Sequence, residues 1–184
     1  MASAFGHAVA AIALGTSWSK SMRSGKFWLL GIACAILPDA DVLAFALDIP
    51  YENFWGHRGF THSLLFAMLV GGFVTTLFYR HHLLSLRGLG YIAFYFSCTA
   101  SHSILDAMTT GGLGVAFFSP WDDTRYFFPW TPIKVSPIGI SSFFSTRGLQ
   151  VLSSELIWIG IPSIVYVGIT TYLRRNQSEL DQLG

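Results

Sequence analysis

The chain has 184 residues, of which 52% are hydrophobic, 16% aromatic and only 11% charged. Soluble domains carry about 25% charged residues, so this composition describes a membrane protein. A formal net charge of +1 gives a nucleic-acid partner no electrostatic support.

Five apolar segments follow in order. The first, Phe5 to about Ser17, is short for a span. It has no basic region before it and no clear cleavage site, so it reads as a retained helix and not as a signal peptide. The second runs from Phe27 to Leu47 and reaches spanning length only if Asp39 and Asp41 near its end are tolerated. The third (His62–Tyr79), fourth (Gly88–Met108) and fifth (Gln150–Leu173) lie near the roughly 20 residues a membrane helix needs. Cys34 and Cys98 fall inside apolar stretches and read as small core residues. The expected architecture is all-α: a polytopic membrane bundle of about five helices, one domain over residues 1–184, with a long aromatic extracytoplasmic loop.

Basic residues set the expected topology. Lys20, Arg23 and Lys26 separate the first two segments, Arg80 and Arg87 the third and fourth, and Arg174 and Arg175 follow the fifth. The positive-inside rule makes these stretches cytoplasmic. The N-terminus, the loop 48–61 and the long loop 109–149 then face outward, with Arg58, Arg125, Lys134 and Arg147 as their basic residues. The long loop carries Phe117, Phe118, Trp121, Tyr126, Phe127, Phe128 and Trp130 among prolines. It reads as an aromatic belt at the lipid–water interface, as a lid over a site, or as both.

Ionisable residues in membrane helices are costly, about 2.5–3.5 kcal/mol for a central Asp on insertion scales, and mark function by default. His7, Asp39, Asp41, His62, His102, Asp106 and Glu155 all fall near the outer end of their segments under this topology, and His57 lies in the outward loop just before His62. Random placement would scatter them over both faces. His102 and Asp106 share a helix face at i, i+4. Asp39 and Asp41 would diverge on a regular helix, but Pro38 weakens it and lets both turn toward one centre, or leaves one as a supporting partner. Imidazole and carboxylate donors suit zinc, and also manganese or iron. Each residue has an ordinary reading too. His7 reads as interfacial, Asp39 or Asp41 as a cap or a partner of Arg58, and Glu155 as a partner of Arg147 or Arg125. His81 and His82 read as solvated, and Asp122 and Asp123 as a turn. Together, the shared depth favours metal.

Four stretches carry a resemblance: His7; Pro38-Asp39-Ala40-Asp41; His57-Arg58-Gly59-Phe60-Thr61-His62-Ser63; and His102-Ser103-Ile104-Leu105-Asp106. With the segment from Gly111 to Gly139, they resemble the LexA-regulated, inner-membrane metal-dependent hydrolase family of bacteria over nearly the whole chain. The order His, Asp, His, His-x-x-x-Asp is more distantly similar to zinc-dependent phospholipase C and the fungal single-strand nucleases. That likeness implies that Asp106 bridges two zinc ions. One ion would also take Asp39 or Asp41, His62 and His102, and its neighbour would take His7. In those enzymes an N-terminal Trp is a ligand. Here residues precede Gly6-His7, so that ligand is missing unless His57, the second Asp or Glu155 replaces it. Their later histidines are also absent after Asp106, so one or two ions are expected.

The expected activity is hydrolysis by metal-activated water. Asp39 or Asp41, whichever does not ligate, would orient that water or take its proton. Arg58 would hold a phosphate, with Arg125 and Lys134 on the same head group. The expected substrate is a phosphoester or pyrophosphate of a membrane lipid or lipid-linked molecule, with a carboxylic ester or amide as the other option. The alternative is a non-catalytic metal-binding membrane protein: a small transporter, a sensor or a scaffold. A transporter needs polar residues continuing through the cytoplasmic half, and these segments hold few.

Overall fold

Serine hydroxyls set where the helices begin. In the computed structural model, which describes residues 1–183, Ser3 caps α1 (Ala4–Gly15) and Ser24 caps α2 (Gly25–Ile36) by accepting from first-turn backbone N–H groups. Pro38 then tightens the chain into a 3₁₀ turn, Leu37–Val42, which runs into the short α3 (Leu43–Ala46). Ser63 caps α4 (Leu64–Tyr79) and Ser85 caps α5 (Leu86–Ala107). A short α6 (Ile140–Phe143) precedes α7 (Thr146–Glu155), a π turn (Leu156–Gly160) and α8 (Ile161–Leu183). The last helical stretch, α7 through α8, starts at Thr146, ahead of the expected Gln150, because Ser145 caps α7 through the Arg147 N–H at 3.2 Å. Helix makes up 66% of the structure, and no strands form among the described residues beyond two isolated bridges.

Among the described residues, three helices are long and apolar enough to cross a membrane: Gly25–Ala46, Leu64–His82 and Thr146–Gln177. The second apolar segment thus reaches spanning length with both aspartates in place. The fourth, expected as an ordinary span, is not among the three. As α5 it carries Tyr91, Tyr95, Thr99, His102, Ser103 and Asp106, all buried. It tolerates them because α1, α2 and α4 pack around it and shield them from lipid.

Aromatic stacking fills the bundle below the polar cluster. Phe27 stacks on Phe94 with centroids 3.8 Å apart, and Tyr79 on Tyr91 at the same distance. Gly71 lets α4 approach α5 closely, since a Cβ there would lie 2.8 Å from the Ile92 carbonyl. The face of α8 is left to lipid: Ile161, Ile164, Val165, Ile169 and Leu173 are exposed.

The segment 108–139 is an ordered strap, although it is almost free of regular structure. It is tied to α5 by Phe128 N–H on Ala107 O (3.0 Å) and to α4 by Leu64 N–H on Phe117 O (3.0 Å). Ala116 N–H reaches Arg58 O at 3.1 Å, and Ser136 N–H reaches Met1 O at 2.9 Å. Its backbone covers the polar end of the bundle, while Phe118, Trp121, Phe127, Phe128 and Trp130 stay exposed as a belt would require. Asp122 does form a turn, accepting from Thr124 N–H and Tyr126 OH at 2.8 and 2.9 Å.

Candidate metal centre

Four side chains from three parts of the chain meet at the strap-covered end. Asp39 comes from the 3₁₀ turn after Pro38, His62 from the turn before α4, and His102 and Asp106 from the last turns of α5. Each places one ligand atom within 4.8 Å of the others, and all four are buried. His102 Nε2 lies 3.4 Å from Asp39 Oδ1, and His62 Nε2 lies 3.7 Å from Asp106 Oδ2. His7 stacks on His102 with ring centroids 3.7 Å apart and puts its Nε2 3.5 Å from Asp106 Oδ1.

Hydrogen bonding fixes which atoms remain available. His102 Nδ1 sits 2.7 Å from the Ala35 carbonyl and must donate to it. His62 Nδ1 lies 3.0 Å from Asp41 Oδ2 and donates there. In the neutral rings both Nε2 atoms are then bare lone pairs, yet they face each other at 3.0 Å. Two lone pairs at that distance require a cation between them, a proton or a metal. Beside them Asp39 has both carboxylate oxygens buried without a hydrogen-bond partner, and His7 has both ring nitrogens in the same condition. Buried polar atoms are nearly always paired, so this concentration of orphans at one point fits a divalent ion held by His nitrogen and carboxylate oxygen. Outer partners that fix the imidazole tautomer, as Ala35 and Asp41 do, are typical of such sites.

The second group, Asp41, His57 and His62, is of a different kind. Asp41 accepts from His57 Nδ1 (2.6 Å), Arg58 N–H (3.0 Å) and Thr61 Oγ1 (2.7 Å), besides facing His62. Four donors occupy its lone pairs. The 3₁₀ geometry therefore gives the two carboxylates different roles. Asp39 is open, and Asp41 orients both histidines.

Several residues expected at the site are elsewhere or otherwise engaged. Arg58 is fully buried and each of its three nitrogens is engaged: Nε donates to Asp106 Oδ2 (3.0 Å), Nη1 to Gly111 O (2.8 Å) and Nη2 to Thr109 Oγ1 (2.9 Å). It clamps the Asp106 carboxylate and is not open to a phosphate. Its backbone sits at φ 62°, a conformation unusual for a side-chain-bearing residue, held by the bonds to Asp41 and Ala116. Gly112, at φ 94°, lets the strap close over it, for a Cβ there would fall 2.7 Å from Arg58 Nη1. Arg125 donates to the carbonyls of His57, Tyr51 and Asn53 and so pins the loop 51–57 to the strap. Partial burial holds its guanidinium below the usual pKa. Lys134 is exposed beside Leu149, Gln150 and Trp158 on another face. Glu155 is not part of either His–carboxylate group, because it accepts from both the backbone N–H and the hydroxyl of Ser3. Neither Arg147 nor Arg125 pairs with it.

Thr109, Gly111, Ala35 and Ser3 support the site without any advance sign in the sequence, since they act through a lone hydroxyl or a backbone group. The backbone N–H of Ala2 also donates to Asp106 Oδ1 at 2.7 Å, and the Met1 amino nitrogen lies 3.8 Å from Oδ2.

No solved structure matches the chain. It is similar to the Inner membrane protein YbcI of Escherichia coli (strain K12), with 38% identity over 172 residues, 92% of this chain and 96% of that protein. The model of the YdjM inner membrane protein family matches residues 1–177, which include every residue of the buried cluster. The chain belongs to the YdjM family of inner membrane proteins.

Proposed function

We propose that this protein is a membrane-bound, metal-dependent hydrolase that cleaves a phosphoester of a lipid or lipid-linked substrate at the extracytoplasmic surface. The facing Nε2 atoms of His62 and His102, set beside the unpartnered Asp39 carboxylate, are the observation that carries this reading. Asp39, His62, His102 and Asp106 would hold the ion, zinc by the nature of the donors, with manganese or iron as substitutes. When bound, a divalent ion lowers the pKa of its water from about 15.7 toward 7.

The chain's own residues divide the remaining work. Asp41 orients His62 and His57. Arg58 fixes the Asp106 carboxylate. Asp39 has two unpartnered oxygens, one for the ion and one to accept a proton from the attacking water. His7, stacked on His102 and facing Asp106, is the candidate ligand of a second ion.

The lipid nature of the substrate rests on an apolar groove of about 290 Å³. Leu43, Leu47, Trp55 and Phe66 line it, and it reaches Asp41 and Thr61. It follows the end of a span and would take a hydrocarbon chain from the bilayer. The basic ends of the helices lie away from the cluster, and the positive-inside rule then directs the cluster outward.

The test is elemental analysis of purified protein, followed by release of phosphate or head group from lipid in detergent. Turnover should disappear on chelation, return with zinc, and be absent in His102→Ala. The burial of all four ligands favours one other reading, a metal that only staples the helices. In that case chelation lowers the unfolding temperature and no lipid is turned over.

A further inference from the structure

The end of the bundle opposite the metal cluster holds a second polar feature. The C-terminal end of α1 meets the first half of α8 through Thr16 and Thr170 hydroxyls at 2.9 Å and Ser17 and Tyr166 hydroxyls at 2.5 Å. Beyond these contacts a cavity of about 720 Å³ opens, lined by Thr16, Ser19, Lys20, Arg23, Thr171 and Arg174, with Arg175 at its side. Among the described residues no carboxylate lines it.

Two other cations at this end have neutral partners. Lys26 lies over the Phe78 ring at 4.7 Å, and Arg87 reaches the Ser21 hydroxyl at 3.5 Å. Lys20, Arg23 and Arg174 have neither a hydrogen bond nor an ion pair among the described residues. Partial burial, and then the neighbouring Arg174, hold the Arg23 guanidinium below its usual pKa. A topological signal needs basic residues on one side of the membrane. It does not need them gathered from positions some 150 residues apart around one concavity, where like charges repel.

We propose that this cavity binds a phosphate-bearing anion, either the head group of an anionic phospholipid or a free phosphate compound. Guanidinium forks match phosphate oxygens in pairs, and the Ser19 and Thr171 hydroxyls add neutral donors. The volume falls within the range of about 300–1,000 Å³ typical of small-ligand sites. This site is independent of the hydrolase reading and stands or falls without it.

The experiment uses the full chain in neutral detergent, with ligand retention read by native mass spectrometry and by the shift in unfolding temperature. The probes are short-chain phosphatidylglycerol, short-chain phosphatidylcholine and pyrophosphate. Phosphatidylglycerol, pyrophosphate or both should bind more tightly than phosphatidylcholine. Binding of the lipid alone identifies a head-group site, and binding of pyrophosphate alone identifies a site for soluble phosphates. Arg23→Gln with Arg174→Gln should weaken binding by about tenfold or more, since each basic residue near an anionic head group contributes about 1 kcal/mol. Lys20→Gln, at an exposed position, should move binding in the same direction. The control pair Lys26→Gln with Arg80→Gln removes two charges from the same end and should leave binding within about twofold, because neither residue lines the cavity. Equal weakening by both pairs, or no preference of the wild type for any anionic probe, overturns the proposal.

Discussion

Arg58 Nε donates to Asp106 Oδ2 across 3.0 Å, with both side chains wholly buried at the strap-covered end of the bundle. Removing one partner of such a pair leaves the other charge uncompensated, at a cost of about 3–5 kcal/mol. Arg58→Ala should therefore lower the unfolding temperature sharply in detergent. Arg58→Lys should not restore it, because an ammonium cannot reproduce the fork that reaches Asp106, Thr109 and Gly111 together. An Arg58→Ala protein as stable as wild type but defective in substrate binding would return Arg58 to the role of phosphate ligand.

The two aspartates after Pro38 should separate in metal-binding measurements. Asp39→Asn removes a donor atom, whereas Asp41→Asn removes the charge and one of the two acceptor oxygens that set His57 and His62. Loss of an outer partner of this type lowers metal affinity by about 10–100-fold. Competition against a graded series of chelators should rank wild type above Asp41→Asn, and Asp41→Asn above Asp39→Asn. The reverse order would mean that the ion sits among Asp41, His57 and His62.

Glu155 is predicted to act on the fold and not on the metal. Ser3→Ala deletes one of the donors to its buried carboxylate, a loss of about 1–3 kcal/mol. Metal stoichiometry by elemental analysis should be unchanged in Ser3→Ala and in Glu155→Gln. Loss of an equivalent of metal in Glu155→Gln would place this carboxylate in the ligand set.

Neighbouring glycines of α4 should respond in opposite ways. A Cβ at Gly71 would lie 2.8 Å from the Ile92 carbonyl and 3.0 Å from the Phe96 nitrogen, and backbone cannot yield cheaply. At Gly72 it would meet nothing within 4 Å. Gly71→Ala should destabilise the α4–α5 pair. Gly72→Ala should leave it unchanged or gain up to about 1 kcal/mol from helix propensity. Thermal unfolding of the two variants side by side reads the difference, and equal behaviour would mean that the helices are not in close backbone contact.

Sequence pattern carried the helical membrane class, and it carried the group of residues that gathers at one end. Spacing put His102 and Asp106 on a single face, and Pro38 announced the break that lets Asp39 and Asp41 turn to different partners. These are local properties: the period of a helix and the missing N–H of a proline are written in neighbouring residues. What each polar atom is free to do is not local. Arg58 reads as available for a phosphate until Asp106, Thr109 and Gly111 are seen to engage all three of its buried nitrogens, and Glu155 reads as a ligand until Ser3 is found against it. Those partners lie about 50 and 150 residues away along the chain, and hydrogen-bond capacity is shared out only when the backbone brings donors and acceptors together. The chain alone thus determined which chemical groups the membrane end would contain. The tertiary structure decided which of them remain unpaired, because pairing depends on distance in space.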